Sequence, residues 1–239
     1  SYNRNRQYIH LISNATAGTP LDTWIPSSNI VKPEIADQVA LGYFRNFNDN
    51  QWETSIEGYY KTLQNQIEYK NGADLLINPL VESQLVFGEG RAYGLEVYVK
   101  KKTGKLTGWI SYTLSRTERS FGDIDYGAWF PARHDRKHDF SIVGIYQFNR
   151  KWSLSGSWIY YTGDAVTFPS GKYFIDGKIV SMYTERNGYR MPDYHRLDLG
   201  VNYIGKKKER FESTWNFSLY NAYARENAYS INFVQSEDD

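Results

Sequence analysis

The feature that most constrains this chain is a two-residue period that returns along its length, most plainly in "GRAYGLEVYVKKKTGKLTGWISYTLSRTERSF", Gly90 to Phe121. From Leu106 the even positions read Leu106, Gly108, Ile110, Tyr112 and Leu114, and the odd positions read Thr107, Trp109, Ser111, Thr113 and Ser115. Successive side chains of a strand point to opposite faces, so this stretch has one apolar, aromatic face and one face of mostly hydroxyls. The break at Lys102-Thr103-Gly104-Lys105 predicts a tight hairpin to the preceding arm, where Tyr93, Leu95, Val97 and Val99 oppose Gly94, Glu96, Tyr98 and Lys100. About ten alternating residues is long for an ordinary strand but matches the roughly nine to eleven that cross a bilayer at a tilt.

The same pattern recurs over 36 to 47, 51 to 69, 138 to 149, 151 to 161, 194 to 204 and from 211 onward, with a partial strand near 7 to 13, nine strands in all. Their connections alternate in length. Those at 48 to 50, 102 to 105, 149 to 151 and 205 to 210 are short and polar, and those at 14 to 35, 70 to 88, 117 to 137 and 162 to 193 are long. In an up-and-down antiparallel meander every short turn then lies at one end and every long loop at the other, the asymmetry of bacterial outer-membrane barrels. A soluble sandwich would alternate equally well, but it needs neither such long strands nor this asymmetry.

On this reading Leu95, Val97, Ile110, Tyr112, Phe140, Ile142, Leu154, Trp158, Leu199 and Phe217 face lipid. Glu96, Tyr98, Lys100, Ser111 and Thr113 face the lumen. Aromatic residues are 17% of the 239, with 21 Tyr, 12 Phe and 7 Trp, and rings at Trp52, Tyr60, Trp152, Tyr160 and Trp215 sit where interfacial girdles would lie. A net charge of +1 gives no support to nucleic acid as a partner. Without cysteine, neither a disulfide framework nor a thiolate metal site can form. No apolar run approaches the roughly 18 residues of a membrane helix, so any crossing is made by strands.

A nine-stranded sheet leaves two unpaired edges in hydrocarbon, which predicts that the chain is part of a larger barrel. Its opening Ser1-Tyr2-Asn3-Arg4 lacks a starting Met and an apolar leader, as a mature or cut piece would. Residues 222 to 234 are expected to continue the last strand, and 235 to 239 to open an external loop.

At this point five stretches, "GRAYGLEVYVKKKTGKLTGWISYTLSRTER", "WFPARHDRKHDFSIVGIYQF", "WSLSGSWIYYTGDAVTFPSGKY", "RNGYRMPDYHRLDLGVNY" and "WNFSLYNAYARENAYSINF", are similar in order and spacing to the C-terminal barrel portion of TonB-dependent outer-membrane receptors. The resemblance implies an all-β transmembrane barrel of about 22 strands, of which residues 1 to 239 would supply about strands 13 to 21, without the N-terminal plug and the closing strand. It implies residence in the bacterial outer membrane and energy-coupled uptake of a scarce nutrient such as a siderophore, vitamin, glycan or peptide. The implied partners are outer-membrane lipid, the plug and remaining strands, the inner-membrane TonB complex and a surface lipoprotein. No cofactor and no enzymatic activity are implied.

The densest ionisable cluster is His134-Asp135-Arg136-Lys137-His138-Asp139. It reads as a charged rim where Arg and Asp pair and anchor the wall, since a metal site would need converging ligands from elsewhere. An outer-membrane hydrolase could recruit Asp123, Asp125, His134, Asp135 and Ser141, but nothing marks one serine as a nucleophile. A passive porin is the other alternative. In the long loop from 162 to 193 Phe168, Tyr173, Phe174, Tyr183 and Tyr189 lie among Arg186 and Arg190, a mixture suited to stacking on sugars or flanking a peptide and equally to a self-packed lid or a plain rim. The candidate rim contacts are Trp129, Phe130, Arg133, His134, Tyr189 and Arg190.

Overall fold

The computed structural model describes residues 1–12, 23–70, 73, 81–175, 178–182, 185–206 and 211–231. In chain order the strands are β1 (Tyr2–Gln7), β2 (Ile9–Ile12), β3 (Thr23–Pro26), β4 (Glu34–Phe47), β5 (Trp52–Tyr69), β6 (Leu85–Lys101), β7 (Leu106–Phe121) and β8 (Phe130–Pro131). They continue as β9 (His138–Gln147), β10 (Trp152–Tyr161), β11 (Ala165–Val166), β12 (Gly171–Ile175), β13 (Lys178–Met182), β14 (Tyr189–Arg190), β15 (Tyr194–Ile204) and β16 (Thr214–Leu219). Nine of them form one antiparallel wall in the order β1-β4-β5-β6-β7-β9-β10-β15-β16, with β8 laid against the upper part of β7. Among the described residues no helix is long and apolar enough to cross a membrane. The fold is the expected all-β, up-and-down antiparallel wall.

The short turns behave as their residues demand. Asn48, Asp49 and Asn50 all take positive φ, which Asn and Asp tolerate best among residues with a side chain. Gly104 turns the β6–β7 hairpin at φ 97°, where any Cβ would be strained.

Register then decides which residues share a face. One row of directly opposed residues runs Tyr43, Ile56, Val97, Tyr112, Phe140, Tyr160 and His195 across seven strands. A second joins Val99, Ile110, Ile142, Trp158 and Leu197, and others pair Leu95 with Leu114 and Leu154 with Val201 and Phe217. Directly opposed residues point the same way, so the ten residues proposed from the sequence as one set, Leu199 included, do lie on one face of the wall. The first row also climbs: Tyr43 is four residues from the end of β4 at Phe47, and Tyr160 is eight from the start of β10 at Trp152. That stagger is what a tilted barrel wall requires.

This face is uncovered. Leu41 is 84% exposed, and Val39, Ile110, Leu154, Trp215 and Phe217 are exposed too. So continuous an apolar surface marks an interaction or membrane surface. Rings gather at both ends of it: Tyr146 with Phe148 and Trp152 with Tyr203 near the short turns, Tyr60 with Tyr93 and Phe140 with Trp158 toward the long loops.

Buried cores occur at the long-loop end. One joins Ile12, Ile25, Val31, Ile67, Tyr69 and Leu85, and the other joins Val86, Phe121, Ile124 and Phe130. The first draws on the upper parts of β5 and β6, and the second on those of β6 and β7, beyond the apolar band.

Three boundary expectations need correction. The first wall strand is Tyr2–Gln7, paired with β4, whereas Ile9–Ile12 leaves the wall and pairs with Thr23–Pro26. Within Ile9–Ile12 the side chains of His10 and Ile12 are buried, Ile12 in the loop core, and those of Ile9 and Leu11 are exposed. Secondly, 222 to 231 carry no strand, because the chain turns at Asn221 and Ala224, both at positive φ, with the Ala224 amide donating to the Asn221 carbonyl. Residues 232 to 234 of that expected continuation, and the loop placed at 235 to 239, lie outside the described residues. Thirdly, β6 starts at Leu85 and β7 ends at Phe121, so the loops placed at 70 to 88 and 117 to 137 are partly strand.

Candidate solute-contact rim at the long-loop end

Loops 117 to 137 and 162 to 193 are tied together by one buried carboxylate. Asp135 is fully buried; its side chain accepts from the Thr117 amide at 2.6 Å and pairs with the Arg190 guanidinium, which also reaches the Asp135 and Gly163 carbonyls. Burying a charge is tolerable only when it is paired and hydrogen-bonded, and here both conditions hold. The Ala165 amide donates to the Arg133 carbonyl and the Met191 amide to the Asp164 carbonyl, closing the base of the second loop through the β11–β14 pair.

A second tie spans a greater distance in sequence. Arg186 donates through its guanidinium to Glu68 at 2.9 Å and through its amide to Asp125 at 2.8 Å, while Arg119 lies 3.6 Å from the same Glu68. The Asn187 side chain donates to the Pro131 carbonyl at 3.0 Å. The second long loop is thereby fastened to the first and to the end of β5.

On the lumen-side parity of the wall a cation and two rings stack. The Arg136 guanidinium sits 3.7 Å from the Tyr161 centroid, and Tyr161 lies parallel to Tyr194 at 4.6 Å. The Tyr194 hydroxyl accepts from Arg196, which also pairs with Asp198 at 2.9 Å. At the rim Asp164 accepts from Arg136 at 3.4 Å and faces His134 at 3.9 Å. His134 and Arg136 together hold the Asp164 carboxyl below the usual carboxylate range, against the opposing effect of its partial burial. Lower on the same face Gln38, Glu57, Tyr59, Lys61, Glu96 and Thr117 line a polar trough of about 360 Å³.

The six candidate rim residues divide. His134, with a side chain 76% exposed, and Tyr189, stacked on Phe168 at 5.2 Å, remain open to a solute. Arg133 is half-buried, and Arg190 is engaged with Asp135. Phe130 is 4% exposed and stacks on Phe121 at 6.0 Å, so it supports the loop rather than touching solute. Its opposition to Arg119 through β8 turns it inward, a pairing that no local pattern announces. Trp129, its neighbour, takes the opposite parity and packs against Arg91 at 4.3 Å on the apolar side of the wall.

Tyr126 was missed. It is fully exposed and held at φ 55°, a conformation rare for a bulky residue, on a short 3-10 turn of the first loop. Non-glycine residues held in this region cluster at ligand-contacting and switch segments. Tyr173 and Phe174 are exposed on β12, and Tyr183 lies outside the described residues.

Of the residues a hydrolase could recruit, Asp135 accepts from Thr117 and pairs with Arg190, Asp125 accepts from the Arg186 amide, and His134 faces Asp164. Among the described residues no three His, Asp or Glu side chains gather as a metal ion would need. The structure thus defines an antiparallel wall with one apolar face and a tied layer of long loops at one end, the construction of an outer-membrane barrel. A family model, TonB dependent receptor-like β-barrel, matches residues 2–223, and the chain belongs to that family, whose members are receptors and transporters of the bacterial outer membrane that work with a plug and TonB. No curated protein matches the chain.

Proposed function

We propose that this chain is the C-terminal portion of the barrel of a TonB-dependent outer-membrane receptor, and that the receptor takes up a scarce solute with energy from the inner membrane. The remaining strands, completing a barrel of about 22, and an N-terminal plug come from the rest of the protein. The reading is carried by one observation: exposed aromatic residues, Tyr126, Tyr173, Phe174 and Tyr189, stand on loops braced by ion pairs, one of them to the buried Asp135, which is how a rigid platform presents adaptable contacts. The apolar face, with its paired girdles, meets outer-membrane lipid.

The solute is one that aromatic residues grip beside Arg, such as a glycan or a peptide, though siderophores and vitamins share these contacts. A surface lipoprotein would add a lid over the same loops. Replacing 171 to 182 by a short Gly-Ser linker in the full-length receptor removes Tyr173 and Phe174 while sparing Arg186 and Arg190. Solute affinity and uptake should fall with the barrel still folded. Unchanged affinity and uptake would show that the hairpin is structural, and uptake independent of TonB would favour a porin.

A further inference from the structure

The apolar face is not uniform. Between β4 and β7 it carries a groove of about 700 Å³ whose walls include Val39, Leu41, Tyr60, Tyr93, Leu95 and Leu114. Its floor is Gly58, opposed by Leu41 on one side and Leu95 on the other. A Cβ at Gly58 would meet only the Gly94 carbonyl oxygen, at an ordinary 3.9 Å, and its backbone lies outside the left-handed region. Neither backbone nor packing requires glycine here, so the missing side chain serves to keep the groove open.

The long-loop end of this groove is basic. Arg116, which lines it, opposes Tyr93 in register, and two residues further up Arg91 opposes Glu118. Both guanidiniums bind that single carboxylate, Arg91 at 2.7 Å and Arg116 at 2.9 Å, which leaves one positive charge in excess, and Lys137, which also lines the groove, adds a second. Each guanidinium has five donors, and Glu118 occupies one side of each. Trp129 covers Arg91, and Tyr60 stacks on Tyr93 at 6.1 Å beneath it.

We propose that this groove seats one lipid of the outer leaflet, with an acyl chain over Gly58 and a phosphorylated headgroup on Arg91 and Arg116. The proposal rests on the reading of the apolar face as the lipid-facing one. An apolar slot of this volume, ending at a net positive pair, complements a phosphorylated lipid, and a zwitterionic headgroup would gain little from it. The neighbouring stretch of the same face, around Gly144 and Gly156, differs: among the described residues the polar groups above it include His138, bonded to the Tyr112 hydroxyl, His195, bonded to the Tyr223 hydroxyl, and Tyr160, which donates to the Asp193 carboxylate.

The full-length receptor in phosphatidylcholine nanodiscs is titrated with lipid A, with lipid A stripped of its phosphates, and with inorganic phosphate, reading occupancy by native mass spectrometry. Lipid A should bind, its dephosphorylated form about fivefold to twentyfold more weakly, and phosphate alone not at all. Gly58→Trp should weaken lipid A binding about tenfold by filling the slot. Arg91→Gln with Arg116→Gln should weaken it about twentyfold, and Glu118→Gln should strengthen it by freeing both arginines. Lipid A affinity unchanged in the arginine pair variant, or in a folded Gly58→Trp protein, overturns the proposal, as does equal competition by phosphate. The arginine pair carries the test if Gly58→Trp does not fold. Brominated lipid separates the two layers of argument: quenching of the introduced indole without a change in affinity removes the lipid seat and leaves the lipid-facing surface standing, and an unquenched indole removes both.

Discussion

The band of wall from the short turns to the Tyr60–Tyr93 level and the layer of loops above it obey opposite rules. In the band Leu41, Ile110 and Ile142 are exposed, and no cluster of buried residues exists among the described residues there. In the loop layer Phe121, Ile124, Phe130 and Val166 are buried, and a charge, Asp135, is buried with them. The difference teaches that the two regions are built for different solvents. A strand in lipid gains by turning apolar groups outward and pairing its backbone with neighbours. A loop in water has to turn apolar groups inward and satisfy every polar group it hides.

The sharpest way to break this contrast is to attack the buried charge. Arg190→Ala leaves Asp135 buried without its counter-ion, which should cost about 3 to 5 kcal/mol in the loop layer. Hydrogen exchange at the Thr117 amide, which donates to Asp135, should rise sharply while exchange in β9 and β10 stays slow. Slow exchange at Thr117 in this variant would mean that the pair does not hold the layer.

Next in size is a neighbouring pair on opposite faces of β7. Ile110→Arg should cost about 2 to 4 kcal/mol in folding titrations into bilayers, and Ser111→Arg much less. Equal costs would erase the distinction between faces on which the lipid reading depends.

Smaller is the effect of pH on the rim. The folded-state pKa of Asp164 is depressed, so its contribution is fully present above the unfolded value of roughly 4 and is lost as pH falls through the lower folded value. Loop protection measured between pH 5 and pH 3 should therefore decline on acidification, and less so in Asp164→Asn, which has no such proton to take up. An identical decline in both proteins would assign the effect to other carboxylates.

The smallest expected effect on stability is at Tyr126. Tyr126→Gly relieves the positive φ and removes a fully exposed ring, so thermal unfolding should stay unchanged or rise slightly while solute affinity falls. A clear loss of stability would show that the ring packs, and would move Tyr126 from the contact surface to the scaffold.

Much of the wall was legible because the local code for strands is short. Period two sorted residues of β6, β7, β9, β10 and β15 onto one face or the other, and the alternation of loop lengths anticipated the order of the wall from β4 to β16, though not β8 or the place of β1, since antiparallel neighbours joined in sequence need only a turn. The rim was legible only as composition. Aromatic and basic residues could be seen in the loops, but Phe130 and Trp129, adjacent in sequence, proved to belong to a loop core and to the apolar side of the wall.

What the sequence by itself determined is therefore the alternation of side chains, the short turns between strands and the end at which the long loops gather, because all of these follow from backbone geometry over a few residues. The tertiary structure decided which loop residues are spent on holding the layer and which stay free. Arg190 meets Asp135 across 55 positions and Arg186 meets Glu68 across 118, and in the ensemble of a loop no local preference selects one arginine over another as a partner. Only when the wall sets the loop ends at fixed positions does a particular guanidinium reach a particular buried carboxylate, and the electrostatic cost of leaving that carboxylate unpaired then makes the choice.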